Sequence, residues 1–480
     1  MEKKSGQREI KAGLGYTVGN ILIKGITFIT LPIFSRLLTT SQFGIYTTYM
    51  AYENTLAIIL GLGMYASIKN AKIDYPDRVN QYTSTLLWLT VIPLCVCFIL
   101  IIAFPQWLSQ LLDLSQGLLL LLVFQSYGTA MLSVSNSRLA LDYNYGKYMG
   151  FAAFNTIMNI GLSILLILTF FNNQREYGRI LGSAIPLVII GLFVFITNQR
   201  AGKFSFDKKM AKYAFSVGFP LIWHYLSQQI QNQFDRIAIT NIVGSSFTGI
   251  YSFAFSIATI LNVIFYSTEN VWSVWMFGKM AEGDYKKIRD VSKKYMLLIS
   301  TIAILMLVGS REVIMIMGDK SYWEGQVIFI PLLISIYLLY LYTIPVGIEY
   351  YYKQTKYIAL MTAIAAAINV SLNYALIPRY GYIAAAYTTM LSHAVQFIAH
   401  WFISKRILQK EGINTVFYFS DLMKVFVAVC ICGVAVAFLN PYPVIKYVVF
   451  VVLFVFGMYF YRDDLKMLVD MFLKKKKAQL

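Results

Sequence analysis

Residues 215–244 read FSVGFPLIWHYLSQQIQNQFDRIAITNIVG, and this stretch decides what kind of protein the chain is. At about 1.5 Å per residue a helix of this length crosses a bilayer. It follows a cationic loop of Arg200, Lys203, Lys208, Lys209 and Lys212. Yet it holds His224, Gln228, Gln231 and Asp235, spaced so that they line one side of a helix. Lipid cannot satisfy such groups, so the stripe must face other helices or a water-filled cavity. The pattern excludes a simple membrane anchor.

The first apolar stretch, Gly13 to Leu38, repeats the design with Thr17, Asn20, Lys24 and Thr27. Its end, FSRLLTTSQFGIY, parallels FDRIAITNIVGSSFTGIY at the end of the opening stretch. With Arg36 set against Arg236, Lys24 falls opposite His224, both twelve residues upstream. Gly44-Ile45-Tyr46 recurs as Gly249-Ile250-Tyr251 at an offset of 205, and Tyr177-Gly178 as Tyr380-Gly381 at 203. One helix written twice at matching offsets is the mark of an internal duplication.

The remaining chain agrees. It is 58% hydrophobic and 13% charged, about half the charge of an ordinary soluble protein. Apolar runs near twenty residues recur throughout. Six fall at 13–38, 43–68, 82–104, 117–137, 149–171 and 178–197, and six more at 214–243, 248–272, 294–317, 327–348, 357–378 and 383–404. A last pair falls at 423–440 and 444–461. The expected fold is therefore an all-α polytopic membrane protein of about 14 spans, with two pseudo-symmetric six-helix lobes and a C-terminal helix pair. In residues, 1–12 precede the N-lobe at 13–197, and 198–213 form the interlobe loop. The C-lobe spans 214–404, the additional spans lie within 405–461, and a basic tail covers 462–480. An even number of spans per half gives both lobes the same orientation, the parallel-repeat arrangement of transporters.

The net charge of +18 is a matter of orientation. With the amino terminus inside, the outer loops hold only Arg36, Arg175, Arg179, Arg236, Arg311, Lys320, Arg379 and Lys446. Every other cation except Lys24 falls on the inner side. That asymmetry puts both termini in the cytoplasm and argues against nucleic acid as a partner. The four cysteines, Cys95, Cys97, Cys430 and Cys432, lie in apolar runs and read as small hydrophobes. No metal spacing or cofactor motif stands out.

Depth separates the charges. Lys24 lies near the middle of its span and Glu53 reaches a similar depth from the other side, with His224 level with both. Arg36, Asp235 and Arg236 lie towards the outer boundary. A charge at mid-span costs about 2.5–3.5 kcal/mol on insertion scales, so Lys24 and Glu53 need partners or water. Two accounts fit: a structural Lys24–Glu53 ion pair, or a hydrated cavity where Lys24 holds an anionic cargo. Asn20, Thr27, His224, Gln228, Gln231 and Asn232 are candidate cavity residues beside them. Glu53, Asp235 and His224 are candidates for binding a coupling proton or sodium ion. No outer loop is long and no carboxylates cluster outside, so an enzyme is not expected.

Lys24-Gly25, Leu31-Pro32, Ser35-Arg36-Leu37-Leu38 and Phe43-Gly44-Ile45-Tyr46 together resemble the Wzx-type polysaccharide flippases of the multidrug/oligosaccharidyl-lipid/polysaccharide (MOP) exporter superfamily. Phe219-Pro220 and Phe234-Asp235-Arg236 support it. The resemblance implies two rocking six-helix lobes around a cationic cavity in the bacterial cytoplasmic membrane. It implies passage of undecaprenyl-pyrophosphate-linked oligosaccharide from the inner to the outer leaflet for capsule, exopolysaccharide or O-antigen synthesis. The partners implied are that lipid-linked sugar, membrane lipids and polysaccharide polymerase machinery. The alternatives are a cation-coupled, MATE-like multidrug exporter and a flippase for the peptidoglycan lipid precursor. The latter flippases look richer in central arginines than this chain.

Overall fold

The computed structural model describes residues 25–460 except Thr27 and Tyr143. Among them there is no strand, and the chain runs from helix to helix. In order these are α1 (Phe28–Leu37), α2 (Thr40–Gly61), α3 (Ser67–Asp74), α4 (Val79–Ala103), α5 (Pro105–Leu112), α6 (Gln116–Leu141), α7 (Tyr145–Thr169), α8 (Arg175–Ala201) and α9 (Lys208–Val243). Then follow α10 (Ser245–Ala258), α11 (Ile260–Glu282), α12 (Tyr285–Val308), α13 (Ser310–Met317), α14 (Gln326–Tyr351), α15 (Thr355–Tyr380), α16 (Ile383–Lys410), α17 (Phe419–Leu439) and α18 (Pro443–Phe460). Nine helical stretches among the described residues are long and apolar enough to cross a membrane, or ten if a bent pair counts as one. The chain is a multi-pass, all-α membrane protein.

Three expected spans are broken where the sequence pattern runs on smoothly. After α2 the backbone enters the left-handed region at Leu62 (φ 51°) and Gly63 (φ 58°), and the path bends by 57° into α3. Leu62 is a non-glycine residue held in a conformation that disfavours a Cβ. Apolar periodicity cannot report this, because the apolar run continues through Met64, Tyr65 and Ala66 beyond the bend. The expected eighth span divides at Thr259 between α10 and α11, and the ninth at Gly309 between α12 and α13. By contrast α9 is longer than expected. Its 36 residues rise about 54 Å, well beyond a hydrocarbon core of about 30 Å. Asp207 caps its start, accepting from the backbone N–H of Lys209 (2.8 Å) and Met210 (3.2 Å).

The helices gather into two compact units. Among the described residues, one comprises those up to Ile257, Met317–Gly325 and Ala359–Ser392; the other comprises Ala258–Ile316, Gln326–Ile358 and those from His393. In lipid, apolar helices gain little by hiding from water, so close packing and hydrogen bonds between helices hold them together. The first unit displays this where α2 and α10 begin. Thr40 Oγ1 lies 2.7 Å from Ser246 Oγ, and Ser41 Oγ lies 2.8 Å from Ser245 Oγ. Ser252 Oγ donates to Thr47 Oγ1 at 3.0 Å, and those two residues are 205 apart. A shift of 205 turns the Thr40–Ser246 contact into the Ser41–Ser245 contact and maps the Thr47–Ser252 contact onto itself, as a local two-fold axis requires. The glycines obey the same exchange. A Cβ on Gly44 would fall 1.8 Å from Ser245 O, and one on Gly249 would fall 1.9 Å from Thr40 O. Only glycine permits that approach at either position. The repeated Gly-Ile-Tyr is thus the crossing point of the duplicated helices.

Candidate functional site

The carboxylate of Asp235, four turns beyond Pro220 in α9, lies inside the first unit and is 2% exposed. Three neutral donors reach it. Asn373 Nδ2 donates to Oδ1 at 2.6 Å. Tyr251 Oη and Thr389 Oγ1 donate to Oδ2 at 2.5 Å and 2.6 Å. Behind them Thr388 Oγ1 donates to Asn373 Oδ1 (2.5 Å), Asn373 Nδ2 to Asn369 Oδ1 (3.1 Å), and Asn369 Nδ2 to Thr389 Oγ1 (3.2 Å). Four helices, α9, α10, α15 and α16, therefore converge on one acid, and Asn369, Asn373, Thr388 and Thr389 are themselves buried.

Sequence and local structure explain the convergence. Asn369 and Asn373 are one helical turn apart on α15, and Thr388 and Thr389 are adjacent on α16, so each pair presents its polar groups to the same neighbour. Buried polar groups in an apolar bundle must find one another, and here they do so completely around the acid. Among the described residues the carboxylate has no lysine or arginine ion-pair partner. Arg236, its sequence neighbour, turns elsewhere: Nη1 donates to Asn232 O at 2.9 Å and to Gln233 Oε1 at 2.6 Å. Its guanidinium also lies 4.9 Å from the centroid of the Phe255 ring. The result is an enclosed acid whose oxygens accept from one amide N–H and two hydroxyls, with the Arg236 guanidinium within electrostatic range but not paired to it. An acid enclosed within a helix of membrane-spanning length is a candidate for binding a proton or a coupling cation. No group of three or more His, Cys, Asp or Glu able to hold a metal occurs among the described residues.

The rest of the α9 stripe changes character along its length. Gln231 is buried like Asp235, whereas Gln228 and Asn232 are exposed and His224 is half-buried. His224 Nδ1 has no hydrogen-bond partner among the described residues. Trp223 beside it is 64% exposed, and Tyr225 stacks on Tyr65 with ring centroids 5.3 Å apart. Gln228 and Asp235 are seven residues apart, about 10 Å along the helix.

The structure brings Asp235 together with residues of three other helices but leaves Glu53 apart from them. Glu53 is 1% exposed, so it lines no open space; Thr129 Oγ1 of α6 donates to its Oε1 at 2.5 Å, and Ser126 Oγ to its backbone carbonyl at 3.1 Å. Arg36 is exposed and donates to Pro32 O at 2.8 Å. Lys24, Asn20 and Thr27 lie outside the described residues. The sequence reading missed Tyr251, Asn369, Asn373, Thr388 and Thr389. The amide pair at i, i+4 in the apolar run 357–378 is the same signal that singled out α9, on a second helix.

A family model described as Polysaccharide biosynthesis protein matches residues 11–273. The chain is similar to an uncharacterized membrane protein of Haemophilus influenzae, 25% identical over 373 residues, 75% of this chain and 88% of that one. It is also similar to the probable low-salt glycan biosynthesis flippase Agl15 of Haloferax volcanii, 22% identical over 390 residues and 80% of each chain. Among solved structures, the lipid II flippase MurJ in its inward closed conformation aligns with a TM-score of 0.75 and 16% identity, over 93% of this chain and 99% of that one. An inward-facing multidrug resistance MATE family transporter of the MOP superfamily aligns with a TM-score of 0.62 and 15% identity, over 82% and 99%. At these identities the likeness is one of fold.

Proposed function

The chain belongs to the polysaccharide biosynthesis protein family, and on that premise we propose that it is a transporter, a flippase that moves a lipid-linked oligosaccharide across the bacterial cytoplasmic membrane. The cargo is an undecaprenyl-pyrophosphate-linked oligosaccharide, carried from the inner to the outer leaflet by alternating access of two lobes, 13–197 and 214–404. The product feeds a surface polysaccharide, and polymerase machinery takes it up outside. Both termini face the cytoplasm, in keeping with the distribution of Lys and Arg.

The observation that carries this reading is the two-part character of α9. One length of a single polar stripe is an enclosed acid, Asp235, whose oxygens accept from three neutral donors. The same helix also offers exposed Asn232 about one turn from Asp235, exposed Gln228 about 10 Å away and exposed Trp223 further still. Amides and aromatic faces are what sugars are bound by, and an enclosed acid is what a coupling proton or sodium ion is bound by. One rigid helix connects the two, so ion binding at Asp235 biases the position of the groups that meet cargo. Lys24 supplies the cation for the pyrophosphate, and Asn20, Thr27, His224 and Gln231 surround the headgroup. Glu53, enclosed by α6, serves as a second ion-responsive acid, or simply holds α2 to α6 through Thr129.

The fold is shared with multidrug exporters as well as lipid flippases, so cargo chemistry is the point to test. Purified protein in liposomes should move a fluorescent lipid-pyrophosphate oligosaccharide between leaflets, and Lys24→Ala should slow this at least tenfold. Efflux of amphipathic organic cations, with no movement of the lipid-linked sugar, would instead favour a drug exporter.

A further inference from the structure

The second compact unit encloses a pair of titratable side chains that the transport reading leaves unused. Glu349 stands in the last turn of α14 and His400 in α16, and both are fully buried. His400 Nδ1 lies 2.7 Å from Glu349 Oε1. The far atom of each group, Glu349 Oε2 and His400 Nε2, meets no hydrogen-bond partner among the described residues. The Tyr342 ring packs against the imidazole with centroids 5.2 Å apart. Tyr342 also lies within electrostatic range of Tyr350 on α14 and of Tyr266 and Glu269 on α11. Tyr295 of α12 stands close to Glu269. Among the described residues no lysine or arginine forms an ion pair with Glu349.

These facts constrain the number of protons on the pair. A carboxylate beside a neutral imidazole would be a net anion out of reach of water, with neither lysine nor arginine to balance it. Leaving a buried charge unbalanced costs several kcal/mol. One further proton makes the pair neutral overall, whether it resides on Nδ1 as imidazolium against carboxylate or on Oε1 as carboxylic acid against imidazole. Either form keeps the 2.7 Å hydrogen bond.

We propose that Glu349 and His400 form a proton-binding dyad that holds one exchangeable proton between Oε1 and Nδ1, a second ion site separate from Asp235. In the exchange, only the bond to that proton breaks. The proton passes to water or a buffer base, and a neutral imidazole and a carboxylate remain. Glu349 lies two residues from the end of α14, about 3 Å by helix rise. The chain continues from there to Lys353 and Lys356, cations on the side that the charge pattern assigns to the cytoplasm. This goes beyond the flippase reading and does not depend on it, because the dyad titrates whatever the cargo is.

The test uses the full-length chain in lipid nanodiscs with ¹⁵N-labelled histidine. There are three histidines, His224, His393 and His400, so His224→Gln and His393→Gln assign the spectrum without touching the dyad. Infrared spectra of the same samples report carboxylic acid. At pH 7 the dyad should show either an imidazolium at His400 or a carboxylic acid band that disappears in Glu349→Gln. On alkaline titration it should release one proton per chain, and Glu349→Gln and His400→Gln should each lack that release while Glu269→Gln retains it. A neutral His400 beside an ionised Glu349 at pH 7 in the unmutated chain would overturn the proposal. So would an imidazole titrating near the ordinary value of about 6.5. Because the unmutated chain answers both questions, a dyad variant that fails to fold does not rescue the idea.

Discussion

The sharpest structural prediction concerns Gly44 and Gly249. In Gly249→Ala the new Cβ would stand 1.9 Å from Thr40 O, and in Gly44→Ala 1.8 Å from Ser245 O. Ordinary contact begins at 3.4 Å, so either substitution forces α2 and α10 apart by about 1.5 Å. Parting by that amount stretches the Thr40–Ser246 and Ser41–Ser245 hydrogen bonds, now 2.7 and 2.8 Å, beyond bonding range. Overpacking contributes about 1–3 kcal/mol and the two bonds about 1 kcal/mol each, so a single alanine should cost about 3–5 kcal/mol. The two sites share one crossing, however, and a single parting relieves both clashes. The double variant should therefore cost little more than either single one, giving a coupling of about 2 kcal/mol or more in a double-mutant cycle. Reversible unfolding in mixed detergent micelles would measure all four chains. Strictly additive losses, or an unfolding midpoint for Gly249→Ala that matches wild type, would refute the two-fold crossing.

Other expectations follow from individual contacts. Asn373→Ala removes one donor from Asp235, and gradient-driven transport should fall about tenfold, the equivalent of roughly 1.4 kcal/mol for a hydrogen bond to a charged group, while basal insertion is unchanged. Lys446 is fully buried and reaches both Glu312 oxygens at 2.9 and 2.8 Å and Asn440 Oδ1 at 3.2 Å. Lys446→Ala should destabilise by about 3 kcal/mol in detergent unfolding, and Lys446→Met with Glu312→Leu should restore most of the loss. Asp207 caps α9, and the backbone N–H groups of Met210 and Lys209 hold its carboxyl below the usual aspartate range. A depressed folded value means its stabilisation is full above about pH 4 and fades as pH falls through the folded value. Amide exchange at Lys209 and Met210 should therefore quicken with acid relative to the rest of α9. Asp207→Asn should abolish that extra acid response.

Much of the architecture was legible because bilayers impose it. Hydrophobic runs near twenty residues, short outer loops and the recurrence of Gly-Ile-Tyr at an offset of 205 sufficed to read a duplicated helical membrane protein. The physics behind Gly44 and Gly249 is local and steric, so it survives in sequence as an identical tripeptide. The breaks at Gly63 and Thr259 were not legible, since a bent apolar helix and a straight one carry the same pattern. The site was half legible. Asp235 could be singled out because an acid in an apolar span demands partners, but its partners come from α10, α15 and α16, and periodicity within one helix does not say which neighbour it meets. Glu53 shows the same limit from the other side: depth along the span placed it at mid-membrane, while its rotation about the axis of α2 turned it towards Thr129. The Glu349–His400 pair brings together residues 51 positions apart. Only tertiary packing could disclose it.

The central claim is that an ion bound at Asp235 drives movement of a lipid-linked sugar through α9. The most direct measurement reconstitutes wild type and Asp235→Asn in liposomes and follows a labelled lipid-pyrophosphate oligosaccharide between leaflets, with imposed proton or sodium gradients and without them. Wild type should flip the lipid faster under one of the two gradients, and Asp235→Asn should flip it at the same slow rate under all conditions. Equal gradient acceleration in the two proteins would contradict the account.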